Sequence, residues 1–297
     1  MWHEAYEVDL GPHVFVTAKY RLTGERLLRG GRVTEEHFLT PSPATRSELG
    51  LVHTATYLDA VEEDTLTFAE RVRLEIPLTP SVRDAMKLAC GGTLLTCRLA
   101  LAGGASAHLG GGFHHAFADH GEGFCLFNDV AVAVRVLMAE GVVSRPLIVD
   151  LDVHQGNGTA AIFASDPRVF TLSLHQEDNY PADKPASTLD VGFDDGTGDA
   201  DYLEALGESL SRAVDAHRPD LIVYLAGADP YRDDQLGGLS LTKEGLGRRD
   251  RTVFDAAIAR EIPIAVVLAG GYAHRLEDTV AIHTATVTRM IESLSNS

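Results

Sequence analysis

Residues 146–158 read PLIVDLDVHQGNG. The opening PLIVDLD (146–152) is a short apolar run bounded by breakers, which predicts a buried strand. Working outward, three more runs of the same kind occur: RVFTLSLH (168–175), LIVYLAGAD (221–229) and PIAVVLAGG (263–271). A further short strand is expected at Ala105–Leu109. Helical stretches lie between them: one begins at Thr79-Pro80, with Thr as N-cap and Pro in the first turn, and others cover 128–140, 200–217, 242–261 and 277–294. Strands separated by helices imply βαβ units and a parallel sheet covered on both faces. No repeat, low-complexity tract or linker divides the chain, so one domain over 1–297 is expected. Residues 1–80, broken by Pro41, Pro43, Pro77 and Pro80, give no clear pattern.

In such sheets ligands gather beyond the carboxyl ends of the strands, and that is where the polar clusters fall. Asp152 and His154 stand at i and i+2, a spacing that puts both side chains on one side of an extended chain. With Asp229 from another strand end they make one imidazole and two carboxylates. Three protein ligands with an open position is the pattern of a catalytic metal site, and this donor set suits zinc, ferrous iron or manganese. An isolated DxH would more often cap backbone groups; here Asp150, Asp152 and His154 come together in an otherwise apolar run. GGGFHHA (110–116) places His114 and His115 behind three glycines. One imidazole can act as general base and acid and the other can tune charge. Asp150 and Asn157 can each accept a ring N–H and fix the tautomers. Tyr272, after Gly270-Gly271, can donate to a developing oxyanion, and Phe124 and Tyr180 can line a narrow slot. GGGFHH has neither a P-loop nor a GxGxxG spacing, which sets nucleotide binding aside.

The bulk composition narrows the partners. The 25 basic residues against 43 acidic give a net charge of −18, which would repel a phosphate backbone, so no nucleic-acid partner is expected. A cationic substrate would be attracted. Three cysteines without paired spacing point away from a disulfide framework. No stretch approaches ~18 consecutive apolar residues, so neither a membrane partner nor a leader is expected and the cytoplasm is the expected compartment.

Together GGGFHHA, GEGFCLFNDVAVA (121–133), IVDLDVHQGNGT (148–159), VYLAGADPYRDDQLGGLSLT (223–242) and LAGGY (268–272) resemble the histone deacetylase family in order and spacing, as does GLVHTATYLDAV (50–61) more faintly. The HQGNG variant, the compact length and LGGLS look most like the class IV branch and its bacterial relatives. The resemblance implies an α/β arginase/deacetylase-like three-layer fold with a central, mostly parallel eight-stranded sheet. It implies zinc-dependent hydrolysis of acyl-lysine amides. Asp152, His154 and Asp229 then resemble the zinc ligands. His115 resembles the general base that later protonates the leaving amine, and His114, paired with Asp150, its electrostatic partner, with Asn157 beside His115. Tyr272 resembles the oxyanion donor. Phe124, Tyr180, Gly123, Gly271 and Leu236 resemble the substrate-binding wall. Asp150, Ser173 and Leu174 resemble a structural potassium site, with Phe163, Asp166 and Val169 as a second.

Some positions depart from the family pattern. Asn157 stands where class I enzymes have Asp, Gln155 where many members have a second His, and HVFVTAK (13–19) lacks the usual proline. Neighbouring readings are a long-chain fatty-acyl-lysine deacylase, an acylpolyamine amidohydrolase and a non-catalytic acyl-lysine-binding module. Leu236, where polyamine-specific relatives place an acidic gatekeeper, speaks against the second; retention of the ligands, His115 and Tyr272 speaks against the third. An arginase-like ureohydrolase would need a two-manganese set of aspartates, which one DxH does not supply.

Overall fold

A computed structural model describes residues 1–295. Among them, six strands form one all-parallel sheet in the order β1-β6-β5-β2-β3-β4. The strands are β1 (Ala105–His108), β2 (Pro146–Asp150), β3 (Phe170–Gln176), β4 (Leu189–Phe193), β5 (Leu221–Leu225) and β6 (Ile264–Val267). The helices are α1 (Ala18–Arg29), α2 (Arg46–Leu49), α3 (Ala55–Glu62), α4 (Phe68–Leu74), α5 (Pro80–Gly103), α6 (Asp129–Ala139), α7 (Asn157–Phe163), α8 (Asp199–His217), α9 (Lys243–Ile258) and α10 (Leu276–Ser295).

The two-residue period of the buried strands divides the core. From β5, Leu221, Val223 and Leu225 enter one apolar cluster with α5 and α6. Ile222 and Tyr224 enter the other, with α8 and α9. Both faces are therefore covered, as a parallel sheet requires. Helix α5 begins as expected, with the Thr79 hydroxyl accepting from Val82 N at 3.2 Å. It is long and apolar enough to cross a membrane, but two-thirds of its apolar window is buried inside the protein, which is how a core helix earns that composition.

The sheet has fewer strands than the eight implied by resemblance, and its edge shows why. Beyond β1 the hydrogen bonding continues through single residues: Leu109 N donates to Met1 O at 2.7 Å, Met1 N to Ala107 O at 2.6 Å, and Trp2 N to Leu39 O at 3.3 Å. These stubs extend the sheet without forming a ladder. On the other edge lies β4, unforeseen because its LDVGF sequence mixes half-exposed residues with an exposed Asp and one buried Phe.

The strand order fixes the position of the crevice. From β2 the chain steps outward through β3 to β4; from β5 it steps the opposite way through β6 towards β1. The reversal lies between the adjacent strands β2 and β5, and a topological switch point opens a crevice at their carboxyl ends.

Candidate active site

The segments leaving β2 and β5 meet in that crevice. Asp152 and His154 follow β2 and Asp229 follows β5. All three are buried, and one donor atom from each lies within 4.8 Å of the others. His154 Nδ1 is 3.0 Å from Asp152 Oδ1 and 3.6 Å from Asp229 Oδ2. Backbone amides hold the outer oxygens: Gly270 N donates to Asp152 Oδ2 at 2.8 Å and Val153 N to Asp229 Oδ1 at 2.9 Å. Asp229 Oδ2 is buried with no hydrogen-bond partner among the described residues, a rare state for a carboxylate oxygen.

The electrostatics are those of a crowded anionic cluster. Burial and the neighbouring Asp152 carboxylate push Asp229 up to about 7. Burial alone would raise Asp152 as well, but the imidazoles of His114 and His154 outweigh it and hold that carboxyl well below the usual range. Burial opposes the charge on His154, yet Asp152 and Asp229 lift it to about 10. An orphaned oxygen, two repelling carboxylates and one imidazole fit a divalent cation.

The glycine-rich loop after β1 delivers the histidine pair. Asp129, at the start of α6, accepts from Gly112 N at 3.0 Å and Phe113 N at 2.7 Å. Asn128, the N-cap of that helix, donates from its amide to His114 O and Ala116 O. The segment so fixed sets His114 Nδ1 2.6 Å from Asp150 Oδ2 and His115 Nδ1 2.7 Å from Asn157 Oδ1. The two environments separate the charges. Burial disfavours the His114 cation, but Asp150 and Asp152 raise it to about 9. Burial and the neighbouring His114 and His154 push His115 well below its ordinary value, so it stays neutral. With Nδ1 engaged, Nε2 of His115 is the nitrogen left to take a proton.

A cavity of about 190 Å³ leads to this cluster, lined by Phe15, Phe124, His115, Tyr180, Leu236 and Tyr272 among others. The Tyr180 ring meets His115 edge-on at 4.9 Å. Gly123 has φ +51°, and a Cβ there would come within 2.9 Å of both His115 and Tyr180, so glycine is needed for the wall to close on the base. Phe124 holds φ +67°, a costly conformation for a residue with a side chain. Hydrogen bonds from Phe124 N to Leu74 O and from Gly123 N to Arg73 O hold it there. Tyr272 N donates to Asp234 Oδ2 at 2.6 Å. Burial pushes its hydroxyl well above the ordinary value, which keeps it a proton donor. Gly271, expected in the wall, is not among the residues lining the cavity, where Gly270 stands instead; a Cβ at Gly271 would come within 2.9 Å of Ala228 and Thr279.

Asp150 and Ser173 are paired across β2 and β3. The Ser173 hydroxyl lies 2.9 Å from His175 Nδ1, and the Leu174 side chain is in the core, so Leu174 has only backbone to offer an ion. Phe163, Asp166 and Val169 are joined by Asp166 N to Phe163 O and Val169 N to Asp166 O. The Asp166 carboxylate is engaged by Arg135 and Arg168, which hold it well below the usual carboxylate range.

Four further residues support the site, and only one of them carries a local signal in the sequence. Lys19, fully buried, donates to Ala269 O at 3.0 Å with its ammonium 5.2 Å from the Tyr272 ring centre. Asp234 accepts from Leu236 N and Gly237 N as well as Tyr272 N, tying two loops together; a turn-forming Asp is the local clue that was available. Arg249, on α9, reaches Gly227 O and Leu151 O. Glu122 contacts Asn157 and Tyr180.

The histone deacetylase domain model matches residues 13–287. An uncharacterized protein of Picosynechococcus is 42% identical over 92% of this chain and 91% of its own. Histone deacetylase 2 of Arabidopsis thaliana is 31% identical over 88% of this chain and 70% of its own. The crystal structure of the HDA15 HD domain superposes with a TM-score of 0.83 at 27% identity, covering 98% of this chain and 87% of that one.

Proposed function

The chain belongs to the histone deacetylase family, and from that premise we propose that it is a zinc-dependent amidohydrolase acting on the acyl amide of acylated lysine side chains. The observation that carries the reading is the meeting of the Asp152–His154–Asp229 cluster with a neutral His115 in one apolar-walled cavity. Asp152, His154 and Asp229 would hold the zinc; when bound it supplies Lewis acidity, polarising the acyl carbonyl and lowering the pKa of water towards ~7. Phe124 and Tyr180 seat the extended alkyl arm and exclude solvent. His115 accepts a proton at Nε2 as water attacks the carbonyl carbon, while the Tyr272 hydroxyl donates to the oxyanion. His115 then returns the proton to the departing amine, leaving free acid and free amine. His114, held cationic by Asp150, keeps His115 neutral between turnovers. Asp150, Ser173 and the Leu174 backbone are the place we assign to potassium. Gln155 and Asn157 are the residues that favour the class IV branch.

The apolar space beyond the site bears on acyl length. A side cavity lined by Tyr6, Val8, Phe15, Tyr20 and Met86 is about 20 Å³, space for one or two water-sized groups. That volume supports short acyl groups; a fatty chain would require the 8–17 segment to move. Hydrolysis of acetyl-lysine and myristoyl-lysine peptides, with chelator and with zinc added back, tests the reading. Zinc-restored release of acetate, faster than of myristate, is the expected result. Release that ignores the chelator would overturn the metal requirement, and release of neither acid would overturn the substrate.

A further inference from the structure

We propose that Glu122 is a positioning residue: its carboxylate fixes the orientation of the Asn157 amide and, through it, the proton on Nδ1 of His115. The inference rests on the reading above that His115 is the base.

The geometry is a chain of three contacts. Asn157 Nδ2 is 2.6 Å from Glu122 Oε1, Asn157 Oδ1 is 2.7 Å from His115 Nδ1, and the Tyr180 hydroxyl donates to the same Glu122 Oε1 at 2.8 Å. An ionised carboxylate only accepts, so the amide nitrogen must face Glu122. The carbonyl is left facing His115, and a carbonyl also only accepts. His115 must therefore carry hydrogen on Nδ1 and keep its lone pair on Nε2, the arrangement a base needs. Without Glu122 nothing in this chain of contacts selects between the two amide orientations, because the oxygen and nitrogen of Asn are nearly the same size. The flipped amide would point NH₂ at His115 and demand the other tautomer.

Glu122 is built to impose this choice. Its backbone is pinned by Glu122 N to Cys125 O at 3.1 Å and Cys125 N to Glu122 O at 2.9 Å. Partial burial raises its carboxyl, but the contacts from His120, Asn157 and Tyr180 outweigh that and keep it below its ordinary value. His120 Nε2 faces the second oxygen at 3.6 Å. Because Asn157 is neutral, the charge that decides the tautomer sits one residue further from the base, on a side chain near the surface.

Nitrogen NMR of the His115 ring, assigned by its loss in His115→Gln, reads the tautomer without any turnover. The wild type is expected to show Nδ1 protonated, and Glu122→Gln, whose amide can face Asn157 either way, a mixture of tautomers. An unchanged tautomer overturns the proposal. Kinetics give a second test through sign. Glu122→Gln should lower kcat about 10-fold with KM nearly constant. In an Asn157→Asp background the same substitution should raise kcat, since it removes a carboxylate facing a carboxylate. A change of the same direction in both backgrounds overturns the proposal. Tyr180→Phe, which leaves the Glu122–Asn157 contact in place, should move KM and not the tautomer. A wild-type protein that cleaves no acyl amide would sink the functional reading, and the tautomer measurement would still decide the role of Glu122.

Discussion

Arg249 donates to the carbonyl oxygen of Gly227 at 2.6 Å, and the same nitrogen reaches Leu151 O at 3.3 Å. Gly227 and Leu151 lead into the two segments that carry Asp229 and Asp152, so one fully buried guanidinium ties both ends of the crevice. Its charge is balanced by Asp250, which also accepts from Tyr224 and Thr286. Removing one partner of such a pair strands the other. Arg249→Met is expected to destabilise the protein by about 3–5 kcal/mol, and Arg249→Lys to recover only part, because an ammonium lacks the planar fork. Denaturant unfolding checks this; a loss near ~0.5 kcal/mol, ordinary for a surface change, would remove Arg249 from the support of the site.

The His53 ring predicts an acid limit. Its Nδ1 is 3.0 Å from Phe117 O and its Nε2 accepts from Asn128 N at 3.1 Å, so both nitrogens are satisfied only in the neutral form. Burial pushes its pKa down to about 4. A base whose pKa falls on folding is protonated first in the unfolded chain. Stability present above pH 6.5 is therefore lost as pH falls towards 4, with a slope of at most about 1.4 kcal/mol per pH unit. Unfolding midpoints at pH 7, 6 and 5 should fall for the wild type and fall less for His53→Gln.

Gly270→Ala addresses the ligand cluster without removing a ligand. A Cβ at Gly270 would lie 1.8 Å from Asp229 Oδ2 and 2.6 Å from Asp152 Oδ2. The variant is expected to keep its circular dichroism and lose most of its divalent-metal affinity, measured by titration calorimetry. Unchanged affinity would mean that the ion sits elsewhere.

Tyr272→Phe should retain metal content and lose roughly 10²–10³ in kcat, the usual loss on deleting one oxyanion donor. The edge-to-face contact of Phe124 with this ring, 5.9 Å between centres, should preserve its placement. Near-normal turnover would take the hydroxyl out of the mechanism.

What could be read in advance follows from physical range. The buried strands β2, β5 and β6 announce themselves as apolar runs, and the glycine and aspartate clusters behind them mark where they end. The helices of the first 80 residues lack clear apolar periodicity, and two of them carry a local sequence signal in the capping boxes at Thr45–Glu48 and Thr67–Glu70. Lys19 and Arg249 belong to a different category. A lysine on α1 and an arginine on α9 look like surface charges, and only the packing of distant segments turns them inward. Glu122 is of the same kind: a charged residue between two glycines reads as a solvated turn, and only the approach of Asn157 and Tyr180 gives it a role.

The switch between β2 and β5 has a consequence for biosynthesis. Val153 and Asp229 are separated by 76 residues, and the pair closes only when β5 docks beside β2. A ribosome that has not yet released residue 229 holds a chain with two of the three donors and no place to close them. An ion held by these three donors would therefore wait for the centre of the sheet to be complete, and metal uptake during refolding is expected to lag the pairing of β2 with β5.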